Sequence, residues 1–325
     1  MKNIIKNFNK LSIAVIGDVM LDIFTCGISE RLSPEAPVPV IRIIKKDYCA
    51  GGAGNVAENL ASLGIKSSLF GVIGDDIEGE KLCSKLKEKN IETFLVKDSS
   101  RPTTVKERFV ANQQQLLRVD TENTDLISNT NNEIFLEKLC SLMEQKCIDA
   151  IIFSDYKKGV LSTNTVQKLV DCANKNGIIS ALDPKPGSLS KIYNLSILKP
   201  NRSEAFSLAG MKDDPFAEKE KREELLLQAA LKISAEYSPR YLVISLSADG
   251  LAILENGKLN IIPTSAKEVF DVSGAGDTLM ASMTCALAAG GCIMDAAIIG
   301  NIASGIAVGK RGTSCVSSNE ILDAL

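Results

Sequence analysis

The types and spacing most suited to chemistry lie in one octet, Asp271-Val272-Ser273-Gly274-Ala275-Gly276-Asp277-Thr278. An apolar lead-in ends just before it at Val269-Phe270, and an Ala-rich segment after it predicts a helix over about residues 278–289. Gly274 and Gly276 permit positive φ and let a ligand approach bare backbone. A helix starting here aims unpaired N–H groups and partial positive charge outward, an arrangement suited to phosphate. Asp277, in the first helical turn, would set a carboxylate beside that anion. Oxyanion donors next to a base are what phosphoryl transfer to a hydroxyl needs. A plainer role also fits. An acid in the first turn stabilises a helix against its dipole, and Gly-rich turns punctuate many α/β folds.

Composition narrows the field. The 325 residues are 45% hydrophobic and 24% charged, ordinary for a globular chain with length for one large domain or two smaller ones. A net charge of −3 argues against a nucleic-acid partner. Histidine is absent, which excludes a Cys/His zinc site, a histidine base and a Ser-His-Asp triad. The nine cysteines are scattered, odd in number and never spaced C-x-x-C. They fit small buried thiols in a reducing cytoplasm better than a disulfide framework. Residues 1–10 are polar and do not read as a signal peptide. The longest uncharged stretch, residues 278–294, is too short and too rich in small residues for a membrane span.

The elements that must position the octet follow an α/β pattern. Residues 11–18 read as a buried strand ending in a turn at Asp18, and their continuous apolar character fits a parallel sheet. Residues 23–48 carry Pro34, Pro37 and Pro39, and Pro39 confines the strand over 38–44 to an edge or a strand start. Gly51-Gly52-Ala53-Gly54-Asn55 opens a helix to about Leu63, stopped by Gly64. A strand over 67–73 and a helix over 76–89 follow. Residues 93–119 again read as an excursion, so segments 23–48 and 93–119 together predict a small β subdomain outside the main sheet. From Asp149 the pattern is βαβα, with a helix over 163–176, a long helix over 219–237 and a hairpin around Asn256-Gly257. Such alternation predicts a doubly wound parallel sheet, with the site beyond the carboxyl ends of its strands. Asp18, Asp155, Asp183, Asn201, Ser245 and Asp271 all fall at or just past strand ends.

No Walker A sequence is present, so ATP would need another architecture. Four motifs stand out in order: Gly17-Asp18, Gly51-Gly52-Ala53-Gly54-Asn55, Asn201-Arg202-Ser203-Glu204 and Gly274-Ala275-Gly276-Asp277. Their order and separation resemble the PfkB (ribokinase-like) sugar kinases, implying a ribokinase-like Rossmann-type α/β/α sandwich with a small β-sheet lid in one kinase domain. Within that family the chain is similar to the heptose 7-phosphate kinases of the ADP-heptose pathway, which feeds lipopolysaccharide inner-core synthesis. The runs carrying this include Gly17-Asp18-Val19-Met20-Leu21-Asp22, Asn112-Gln113-Gln114-Gln115-Leu116-Leu117-Arg118, Ser154-Asp155-Tyr156-Lys157-Lys158-Gly159 and Val308-Gly309-Lys310-Arg311-Gly312-Thr313-Ser314. Many such kinases are fused to a nucleotidyltransferase, and the expectation here is a stand-alone kinase.

The resemblance implies roles. Asp277 would deprotonate the C1 hydroxyl while the amides of Gly274, Ala275 and Gly276 hold the moving phosphoryl group. Asp18, Asp22, Gly51, Gly52, Asn55 and Asp155 would meet the sugar. Lys106, Arg108 and Lys185, with Lys157 and Lys158 behind them, would meet the C7 phosphate. Asn201, Arg202, Ser203, Glu204, Ser245, Gly250 and Asn301 would serve ATP, with Glu204 holding Mg²⁺ through water. Asn201 and Glu204 equally form a capping-box pattern. Asp271 and Ser273 are candidates for a K⁺ site known in parts of the family. A homodimer joined through the lid is implied, with no membrane partner. Two departures fall near the sugar: Ile23-Phe24-Thr25-Cys26 replaces a basic, aromatic segment, and Gly54 replaces a more usual alanine. The alternatives are a kinase for another sugar or sugar phosphate, and a non-catalytic sugar-phosphate sensor.

Overall fold

The strand that opens the sheet, Ile13-Ala14-Val15-Ile16, is buried on both faces. Ile13 and Val15 point into one apolar core, and Ala14 and Ile16 into the other. This two-sided burial is why the strand reads as continuously apolar rather than alternating. A computed structural model describes residues 1–325 except Arg311 and Thr313, so part of the 308–314 run lies outside the described residues.

In chain order the elements begin α1 (Lys2–Lys6), β1 (Ser12–Gly17), β2 (Val19–Leu32), β3 (Pro39–Gly52), α2 (Ala53–Ser62), β4 (Lys66–Ile73), α3 (Ile77–Glu88) and β5 (Glu92–Lys97). They continue with β6 (Thr104–Ala111), β7 (Gln114–Thr121), α4 (Asn129–Glu144), β8 (Ala150–Ser154), α5 (Thr163–Asn176) and β9 (Ile179–Asp183). Then come β10 (Ile197–Leu198), α6 (Arg202–Leu208), α7 (Lys219–Tyr237), β11 (Tyr241–Ser245), β12 (Leu251–Glu255) and β13 (Lys258–Ile262). The chain closes with α8 (Ala275–Ala288), α9 (Ile293–Val308) and α10 (Ser318–Ala324).

Nine strands form the main sheet in the order β13-β12-β11-β10-β9-β8-β1-β4-β5. The strands from β5 to β11 run parallel, and β12 and β13 complete the edge antiparallel. Helices α2, α3, α8 and α9 cover one face, and α4 to α7 the other, each burying its own apolar cluster. The result is a three-layer α/β architecture of the kind the resemblance implies. Four strands, β3-β2-β6-β7, form the small second sheet.

Local chemistry explains the element ends. Ser162 caps α5 by accepting the Thr165 amide, and Gly177 ends it at φ 71°. Asn256 and Gly257 both take positive φ, as a two-residue hairpin turn between β12 and β13 requires. Gly54 has a packing reason: a Cβ there would sit 2.9 Å from that of Ala50.

Three expectations need correction. Residues 93–97 belong to β5 at the edge of the main sheet, so the second lid segment begins at Thr104. Phe94 explains the placement, because it stacks on buried Phe70 with ring centroids 4.6 Å apart. Helix α8 starts at Ala275 rather than near 278, because Gly274 at φ 79° turns the chain straight into it. The cysteines are not uniformly buried: Cys285 is, whereas Cys147 and Cys292 are exposed. Among the described residues no two cysteines are joined by a disulfide. Among the described residues no helix is long and apolar enough to cross a membrane.

Candidate active site

Five neighbouring parallel strands deliver the polar residues in sheet order. Asp18 follows β1, Asp155 and Tyr156 follow β8, Asp183 ends β9, Lys199 and Asn201 follow β10, and Ser245 ends β11. Helix α8 brings Gly274-Ala275-Gly276-Asp277 to the same edge. A cleft of about 720 Å³ opens between them, within the range of small-molecule sites. Among the described residues the Gly276 and Asp277 amides have no protein acceptor, so the first turn of α8 presents free donors.

Asp277 is only 5% exposed. Its Oδ2 accepts from Asn55 Nδ2 at 2.7 Å, and the Tyr156 hydroxyl donates to its two oxygens at 2.9 and 3.1 Å. Asn59 extends the network, donating to the Asn55 backbone oxygen at 2.9 Å and accepting from the Thr278 hydroxyl at 2.9 Å. Burial pushes the Asp277 carboxyl up to about 6; the Asp183 charge adds to this, while Asn55, Tyr156 and Lys199 oppose it. Such a group is ionised at neutral pH yet basic enough to take a proton.

Across from it lies a pair of which sequence reasoning placed Asp183 at a strand end without a role and did not single out Lys199. Lys199 is 2% exposed and its Nζ is 3.0 Å from Asp183. A Cβ built on Gly276 would stand 3.8 Å from both groups, so cation and amide donors face one space. Burial raises the Asp183 carboxyl, and Lys199 partly offsets this. Tyr156 was the other omission. Its type gave no signal, and only its place after Asp155 at a strand end pointed to the site.

The Asn201–Glu204 pattern is a formed capping box: Asn201 Oδ1 accepts the Glu204 amide at 2.9 Å and Glu204 Oε2 accepts the Asn201 amide at 2.8 Å. Glu204 Oε1 also pairs with Lys185 at 2.6 Å. Glu204 and Asp183 hold the Lys185 ammonium above its ordinary range despite the cost of burial. Ser245, Gly250 and Asn301 also line the cleft. Asn301 donates to the Pro263 oxygen at 2.6 Å.

Other expected residues stand outside the cleft lining. Both oxygens of Asp18 are occupied, accepting the amides of Tyr156, Lys158 and Val160 at 2.7, 3.0 and 3.1 Å. Asp155 accepts the Lys157 amide at 2.9 Å and the Ser188 hydroxyl at 2.8 Å, and burial pushes it up to about 6. Both acids thus shape the loops that carry Tyr156 and Lys185. Arg202 is bound bidentately to Asp213 at 2.7 and 2.8 Å, and Ser203 is exposed. Asp271 Oδ1 accepts the Ser273 amide at 2.9 Å, shaping the turn before α8.

The second sheet contributes a separate group. Arg108 reaches Asp22 at 2.6 Å and lies 5.1 Å from the Phe24 ring centroid. Lys106 lies 5.5 Å from the centroid of Tyr156, and burial lowers its pKa. Gly51 and Gly52 let β3 pass close to β2: a Cβ on Gly51 would collide with the Asp22 carboxylate, and one on Gly52 with the Asp18 carbonyl. Lys158 pairs with Glu122 at 2.7 Å.

The chain is 42% identical over 313 residues to the bifunctional protein HldE of Helicobacter pylori strain HPAG1, covering 95% of this chain and 65% of that protein. It is 40% identical to the protein of the same name from Sulfurimonas denitrificans, covering 98% of this chain and 65% of that one. It thus spans about two thirds of the length of these curated relatives. Its fold resembles phosphofructokinase-2 from Escherichia coli in complex with potassium, with a TM-score of 0.75 and 19% identity over 96% of this chain and 97% of that one. It also resembles Arabidopsis thaliana ribokinase complexed with ribose and ATP, with a TM-score of 0.70 and 19% identity over 96% and 98% of the two chains. A buried carboxylate beside free helix-start amides, on a fold shared with sugar kinases, agrees with a family profile that matches residues 10–319. The chain belongs to the pfkB family of carbohydrate kinases.

Proposed function

We propose that this kinase transfers the γ-phosphoryl group of ATP to the C1 hydroxyl of a heptose 7-phosphate, giving the 1,7-bisphosphate for ADP-heptose and lipopolysaccharide inner-core synthesis. The observation that carries the phosphoryl-transfer chemistry is the buried Asp277 carboxylate, hydrogen-bonded by Asn55 and Tyr156 beside the free amides of α8. The sugar is argued from the runs resembling heptose 7-phosphate kinases, which extend through both sheets.

In this reading the hydroxyl oxygen attacks Pγ, the new O–P bond forms as the bond to the β-phosphate oxygen breaks, and ADP leaves. The hydroxyl proton passes to Asp277, late in a loose transition state, so an ordinary carboxylate suffices. The Gly276 and Asp277 amides and Lys199 face the charge that builds on the phosphoryl oxygens. Lys185, Lys106 and Arg108 are the cations for the substrate's own phosphate, with Arg108 suited to bidentate contact. Asp22, Gly51, Gly52 and Asn55 form the floor for the sugar.

The residues fit Mg²⁺ held chiefly by phosphates and water. Among the described residues no three His, Cys, Asp or Glu side chains are grouped to hold a metal. Both Glu204 oxygens already have protein partners, which suits an ion that keeps its waters. When bound, the ion supplies positive charge to the phosphoryl oxygens. For a monovalent cation, Asp271 and Ser273 remain the candidates.

With ATP, Mg²⁺ and a panel of phosphosugars, ADP release is expected to be fastest with D-glycero-D-manno-heptose 7-phosphate. Brisk turnover of another sugar with none of the heptose would reassign the substrate. Binding across the panel without ADP release would instead indicate a sensor.

The second sheet also supports a homodimer. Its edge strands expose Ile43, Ile44 and Leu117 at 50%, 62% and 56%, apolar surface that a second copy would cover. Light scattering is expected to give twice the 34.8 kDa chain mass. The Ile44→Lys/Leu117→Lys variant is expected to give the single mass. A monomeric wild type at micromolar concentration would sink the idea.

A further inference from the structure

Tyr156 stands where the two halves of the site meet, and none of the four family motifs contains it. Its hydroxyl is within 3.1 Å of both Asp277 oxygens. Its ring centroid lies 5.5 Å from Lys106 Nζ, on the second sheet, and 5.8 Å from Lys185 Nζ, in the turn after β9 of the main one. Its backbone is fixed as well, because its amide donates to Asp18 and the next amide donates to Asp155. A side chain gripped at its base, with polar contacts at its tip and cations beside its ring, has little rotameric freedom.

We propose that Tyr156 is the positioning residue of this active site, its hydroxyl orienting the Asp277 carboxylate and its ring seating the two lysines that meet the substrate's phosphate. This rests on the reading of Asp277 as the base. Lys106 and Lys185 gain attraction from the ring face, which holds both heads beside Tyr156, with Glu204 as a second anchor for Lys185. The hydroxyl supplies a directed donor. Burial and the adjacent Asp277 charge push the phenol well above its ordinary range, so it stays protonated and donates at any working pH.

The sign of the effect follows from the donor. A hydrogen bond to a carboxylate favours the charged form, so losing it raises the acid's pKa. The other charged groups facing Asp277 are Asp183, which pushes it up, Lys199, which pulls it down, and Lys185. All three are retained in Tyr156→Phe, which also keeps the ring.

The decisive experiment follows the Asp277 carboxyl by ¹³C NMR in aspartate-labelled protein, its resonance assigned by its loss in Asp277→Asn. Wild type is expected to titrate at about 6, and Tyr156→Phe about one unit higher. With the accepted sugar phosphate, the acid limb of kcat/KM is expected to move up by the same amount. We expect kcat to fall about tenfold and KM for the sugar phosphate to stay unchanged. Tyr156→Leu, lacking the ring, is expected to raise that KM as well, leaving KM for ATP alone. An unmoved Asp277 midpoint in Tyr156→Phe overturns the proposal. So does a sugar-phosphate KM in Tyr156→Phe as high as in Tyr156→Leu. If Tyr156→Phe folds poorly, 3,5-difluorotyrosine at 156 serves instead: a stronger donor should lower the Asp277 midpoint, and no change refutes the role. The titration needs no substrate. Absence of turnover in wild type therefore counts against the proposed reaction, and a fixed midpoint against Tyr156.

Discussion

Asp277→Asn is expected to lower kcat by about 10²–10⁴ while leaving ATP affinity within about twofold. The substitution keeps the volume of a side chain that is 5% exposed. It also keeps an oxygen for the donors Asn55 and Tyr156. What it removes is the anionic oxygen proposed to accept the substrate's proton. Single-turnover ADP formation separates chemistry from product release, and isothermal titration with ATP reports binding. A kcat near wild type would refute the assignment of Asp277 as base. Loss of ATP binding with a normal melting curve would move its role from proton transfer to nucleotide binding.

Lys199→Met is expected to harm both fold and function, and the two are separable. Lys199 is 2% exposed and its only ion pair among the described residues is with Asp183. Removing it strands the Asp183 carboxylate, whose side chain is 22% exposed, so the cost should fall below the about 3–5 kcal/mol of a fully buried broken pair. The double variant Asp183→Asn/Lys199→Met removes both charges and should recover most of the melting temperature. Its kcat is expected to stay down by about 10², because the cation facing the Gly276 amide is still gone. If kcat returns along with stability, the pair is purely structural.

How far the sequence disclosed this site depended on whether a residue's role is local. Helix α5 was legible from end to end because Ser162 and Gly177 act on their own neighbours. The hairpin at Asn256-Gly257 was legible for the same reason. Strand β5 was misplaced because a half-exposed edge strand looks like an excursion until Phe94 meets Phe70, which lies distant in sequence. The start of α8 was set three residues late, since Ala275 and Gly276 read as loop and only the backbone at Gly274 reveals the turn. The Asn201–Glu204 pair was ambiguous in sequence, and the capping box is there alongside the Lys185 contact. Tyr156 and Lys199 had no local signature. Each acquires meaning only from a partner brought up by another strand or helix.

The mounting of the second sheet has a mechanical consequence. Strands β1 and β2 are joined by Asp18 alone, and β3 runs into α2 with no residue between Gly52 and Ala53. There is no slack linker at either joint. The other two connections, residues 98–103 and 122–128, are longer loops, so a movement of this sheet would be taken up there and resisted at Asp18 and Gly52. The Asp18 joint is bolted through its carboxylate to the amides of Tyr156, Lys158 and Val160. A movement at this joint would therefore reach the loop that carries Tyr156, which ties the second sheet mechanically to the residue proposed to orient Asp277.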